Sequence, residues 1–74
     1  MPRRRLHEVI VLRAGKERAK FRVELDPNYV HDLRATLADA VKRDGQPRTR
    51  VGEYSLEIRD LNGKKIAGYV EAKK

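Results

Sequence analysis

Ala19-Lys20-Phe21-Arg22-Val23-Glu24-Leu25 alternates apolar and polar side chains without a break. A period of two is what a half-buried strand needs, because successive side chains point to opposite faces. A slip of one position would turn Phe21, Val23 and Leu25 to water, so the inward set of this strand is strongly specified. The preceding stretch His7-Glu8-Val9-Ile10-Val11-Leu12-Arg13 is rich in β-branched residues and reads as its partner. Between them, Ala14-Gly15-Lys16-Glu17 reads as a turn. A two-residue turn at Gly15-Lys16, with glycine first as type II′ favours, predicts the pairs Leu12–Ala19, Ile10–Phe21, Glu8–Val23 and Leu6–Leu25. Leu6, Ile10 and Leu12 then face inward. Arg13, Val11, Val9 and His7 face outward, opposite Arg18, Lys20, Arg22 and Glu24.

The period then changes. Val30, Leu33, Leu37, Ala40 and Val41 recur at steps of three and four and form one helical stripe. Asp26 is a good N-cap and Pro27 suits the first helical position. Gly45, after the cations Lys42 and Arg43, is a left-handed stop. The spacing predicts a helix over 27–44. A polar linker, 46–52, carries Pro47, Arg48 and Arg50. Tyr54, Leu56 and Ile58 then alternate with polar residues. Asp60-Leu61-Asn62-Gly63-Lys64 reads as a turn whose Gly63 is a left-handed bulge. That loop pairs Ile58 with Ile66, Leu56 with Gly68 and Tyr54 with Val70, giving one apolar face.

The predicted fold class is therefore α+β: β-β-α-β-β, a four-stranded antiparallel sheet with one helix packed on one face. At 74 residues there is room for one domain. The expected organisation is a flexible basic arm over 1–5, a single domain over 6–72 and a basic tail at 73–74. Hydrophobic residues make up 39% of the chain, enough for one thin core. The sequence has no Cys, which excludes a disulfide framework and a thiolate metal site. No apolar run approaches a membrane span and no secretory signal follows Met1, so a soluble cytoplasmic protein is expected, with no membrane partner.

Catalysis finds no footing. His7 and His31 fall on different elements, with no ligand-like carboxylates at a metal-binding spacing. Ser55 has no base at a recognisable spacing, and no glycine-rich phosphate loop occurs. The expectation is no enzyme, no catalytic residues, no metal, no cofactor and no small-molecule ligand.

Charge says more. The net formal charge is +7. Residues 1–25 hold eight basic and three acidic side chains, the stretch 26–45 three and four, and 46–74 seven and four. The helix is thus a poor element to lay against phosphates, and the positive field comes from the arm, the first hairpin, the linker and the tail. The predicted sheet face opposite the helix gathers Arg13, Arg18, Lys20 and Arg22. Like charges facing each other across strands repel, and a bound polyanion relieves that. With Arg3, Arg4 and Arg5 of the arm and Arg48 and Arg50 of the linker, these are the candidate nucleic-acid contacts. The expectation is a small binder of nucleic acid, DNA in preference to RNA, of a kind that would suit a bacterial or phage genome.

A second reading rests on apolar residues. In the predicted registers, Val9, Val11, Ala67 and Tyr69 lie on the outer face as a protein interface. That patch suits a homodimer, or a non-enzymatic interaction module gripping an acidic partner protein through the outer face or an edge strand.

Overall fold

The computed structural model describes residues 3–71. The expected Lys73–Lys74 tail and the start of the expected arm lie outside the described residues. The chain runs β1 (Arg5–Arg13), β2 (Lys16–Leu25), α1 (Val30–Arg43), a 3-10 helix (Arg48–Glu53), β3 (Tyr54–Arg59) and β4 (Lys65–Val70). The four strands form one antiparallel sheet in the order β2-β1-β3-β4, with α1 on one face. The predicted fold class is the observed one.

Both hairpin registers differ from the sequence expectation. The first turn is Ala14-Gly15, both left-handed at φ 51° and 80°, and it closes the pair Arg13–Lys16. An alanine in that region costs on the order of 1 kcal/mol. Its N–H is anchored 3.1 Å from the Glu53 carbonyl, which ties the turn to the 3-10 helix. The ladder then shifts between Val11 and Leu12, leaving Arg18 without a partner as a bulge. From there Val11 faces Ala19, Val9 faces Phe21 and His7 faces Val23.

Val9 and Val11 are consequently core residues, 0% and 1% exposed, and not an outer patch. Leu6, Ile10 and Leu12 are the ones that point away from the helix. The same correction applies to β4. The expected register survives beside the loop, where Arg59 faces Lys65. A bulge then intervenes, so Ile58 faces Ala67 and Leu56 faces Tyr69. Ala67 and Tyr69 pack inward against the core. The physical reason is common to both hairpins: β1 and β4 carry apolar side chains at both parities, so a bulge can swap their faces without exposing an otherwise buried set.

The helix also starts later than predicted. The Asp26 carboxylate accepts the Asn28 N–H at 2.9 Å, and the Asp26 carbonyl accepts the Tyr29 N–H at 3.0 Å. These bonds close a turn containing Pro27, and α1 begins at Val30 with no side-chain cap. At the other end the predicted glycine stop is observed. Gly45 has φ 75°, its N–H reaches the Lys42 carbonyl, and the Gln46 N–H reaches that of Val41. This is the paired hydrogen bonding of a Schellman motif.

Leu33, Leu37, Ala40 and Val41 of α1 pack on Val9, Val11, Leu25, Tyr54, Leu56 and Ile58 of the sheet. Among the described residues, no helix is long and apolar enough to cross a membrane.

Candidate nucleic-acid interface

The registers fix what stands on the face opposite α1. Three rows cross it from β2 to β4: Glu17-Leu12-Ser55-Val70, then Lys20-Ile10-Glu57-Gly68, then Arg22-Glu8-Arg59-Lys65. Glu24 and Leu6 follow beside the last row. Cations and carboxylates balance across this face, and Arg59 is hydrogen-bonded to Glu57. It is not the uniformly basic surface that the sequence led us to expect.

Two of the four expected outer-face cations lie elsewhere. Arg13 shares the parity of Val9 and Val11, stacks 5.5 Å over the Tyr54 ring and pairs with Glu53 at 2.9 Å. Arg18, carried by the bulge, reaches Asp44 at the helix C-terminus at 3.2 Å. Asp44 also accepts the Tyr54 hydroxyl. The Tyr54 hydroxyl and then Arg18 hold the Asp44 carboxyl below its ordinary pKa. Arg13 does the same to Glu53. Burial, followed by the bond to Asp44, pushes the Tyr54 phenol up.

The basic arm is also partly committed. Arg5 opens β1, and the Arg3 N–H donates to the Asp26 carboxylate at 2.9 Å. Arg4 makes a two-pronged contact with Asp32, whose second oxygen also accepts the Asp26 N–H. That guanidinium is the main reason the Asp32 carboxyl sits below its usual range. In the 3-10 helix, Arg50 pairs with Glu53 at 3.3 Å, while Arg48 is exposed.

What remains together is Lys20 and Arg22, two positions apart on the outer face of edge strand β2, with Lys16 at the turn end of that strand. All three are exposed, and none forms an ion pair among the described residues. Lys16 was not singled out from the sequence, because the expected turn enclosed it. A second, smaller grouping joins Arg48 to Lys42, which line one groove with Asp39 beside the end of α1. Its signal was present in the cations that precede Gly45.

Aromatic rings are missing from the outer rows. Tyr54 is buried, and Phe21 and Tyr69 pack inward, with Arg43 lying 5.6 Å over the Phe21 ring. Among the described residues, no three His, Asp or Glu side chains converge as a metal ion would require. No family model, curated protein or solved structure matches the chain.

Proposed function

We propose that this protein is a non-enzymatic binder of nucleic acid, duplex DNA in preference to RNA. Its contacts run along the β2 edge, not across the whole sheet face. One observation carries the reading. Lys16, Lys20 and Arg22 stand exposed and unpaired among the described residues on a single strand, in a chain of net charge +7. Phosphate contacts of this kind position a protein on a backbone without reading bases. The preference for duplex is supported by the inward placement of Phe21, Tyr54 and Tyr69. Recognition of RNA and of single strands leans on exposed aromatic rings that stack on bases.

Fluorescence anisotropy with labelled duplex DNA, single-stranded DNA and RNA at several salt concentrations tests this. Three neutralised phosphates predict a slope of log K against log salt of roughly −3, and Lys20→Ala with Arg22→Ala should flatten it by about 2. Absence of duplex binding at low salt, or an unchanged slope in the double variant, would overturn the proposal.

A further inference from the structure

The first hairpin turn, the end of α1 and the 3-10 helix meet at one end of the molecule. The Ala14 N–H reaches the Glu53 carbonyl, Arg18 crosses from β2 to Asp44, and the Tyr54 hydroxyl donates to Asp44 as well. Lys16, the first residue of β2, therefore stands at the same end as the groove that holds Lys42 and Arg48. Ala38, Asp39 and Lys42 of α1 form one side of that groove, and Gln46 and Arg48 form the other.

The charges there do not cancel. Asp39 is paired with Arg43 at 2.8 Å, Asp44 with Arg18, and Glu53 with Arg13 and Arg50. Glu17 is left over, but it lies on the outer face of the sheet, beside Leu12. Lys42 and Arg48 are exposed and form no ion pair among the described residues. Bare carbonyls at a helix C-terminus would repel an anion. Here the N–H groups of Asp44, Gly45 and Gln46 take up the carbonyls of Ala40, Lys42 and Val41. Two cations from different elements thus face one groove beside capped backbone, where the chemistry that fits is a phosphate. The described residues span 29 Å at their longest, so this groove and the β2 row fall within about nine base pairs of one duplex.

We infer that Lys42 and Arg48 form a second contact with the phosphate backbone of the duplex that β2 engages. The inference rests on the proposed binding of duplex DNA.

Fluorescence anisotropy over a range of salt concentrations tests it. The three β2 contacts account for a slope of log K against log salt of roughly −3, and two more steepen it to about −5. Lys42→Ala with Arg48→Ala should flatten the wild-type slope by about 2, and joining this pair to Lys20→Ala and Arg22→Ala should flatten it by about 4. Lys64→Ala with Lys65→Ala is the charge control. It removes as much charge from the far end of β3, and it should leave the slope unchanged. All four sites are exposed, and circular dichroism should show every variant folded. A slope near −3 that Lys42→Ala with Arg48→Ala does not alter would overturn this inference and leave the β2 contacts standing. Equal flattening by the charge control would overturn it too, by showing an effect of net charge and not of place. Absence of duplex binding by the wild type would overturn both readings.

Discussion

β2 runs ten residues along one edge of the sheet with four cations and two carboxylates, whereas β4 runs six along the other with Lys65 as its one charge. Both leave main-chain groups unpaired on one side. On β2 the long charged side chains guard that side against another strand, and the bulge at Arg18 interrupts it. β4 is interrupted by a bulge as well, at Ile66, but it carries no such row of long charged side chains. The two edges can differ this far because most of the core lies between them, with Leu25 the one fully buried residue on an edge strand among the described residues. Val9, Val11, Tyr54, Leu56 and Ile58, on the central strands, are 3% exposed or less. Burial is concentrated in the middle of the sheet, and the margins are the more exposed part.

The largest expected effect tests that division. Ile58→Ala empties a fully buried site on β3 and should cost about 3 kcal/mol. Val70→Ala, on the exposed margin, should stay within about 0.5 kcal/mol. Urea denaturation of both variants reads the difference, and similar losses would break the contrast between centre and edge.

Next in size is a contrast within β2. Lys20→Ala should leave stability unchanged and weaken duplex binding about fivefold, the loss of one phosphate contact. Arg18→Ala should do the reverse, because its guanidinium is engaged by Asp44. Affinity lost equally in both variants would return Arg18 to the binding surface.

The smallest effect is one of pH. The Asp44 carboxyl has a depressed pKa in the folded protein. Its contribution is therefore present above the unfolded carboxylate value of about 3.9 and is lost as pH falls through the folded value. The stability gap between the wild type and Asp44→Asn should be open at neutral pH and close in acid. Lys65 of β4 pairs with no carboxylate among the described residues, so Lys65→Ala should leave the acid limb of the stability profile unchanged.

The order of elements, the glycine stop of α1 and the inward set of β2 were legible in the sequence, because each follows from a periodicity or a backbone need that one residue type satisfies. The parity of β1 was not. Val9, Ile10, Val11 and Leu12 are all apolar, so alternation cannot say which pair faces the helix. That run held a different signal. A central strand has neighbours on both sides, and Ile10, although on the outer face, is 4% exposed between Lys20 and Glu57. Apolar residues at both parities mark β1 as central, much as in strands covered on both faces. The basic cluster was misplaced for a related reason. Charge counting by segment weighs every arginine alike, whereas the fold brings Asp32, Asp44 and Glu53 from distant positions to engage Arg4, Arg18 and Arg13.

The seam between β1 and β3 joins the two halves of the chain. Arg13 meets Tyr54 there and Glu8 meets Arg59, with α1 enclosed between them in sequence. Each hairpin can zip over its own short turn in microseconds, but this seam must first close a loop of some forty residues. Folding is therefore expected to wait on the docking of two preformed hairpins, with the rate set by this distant pairing and not by either turn.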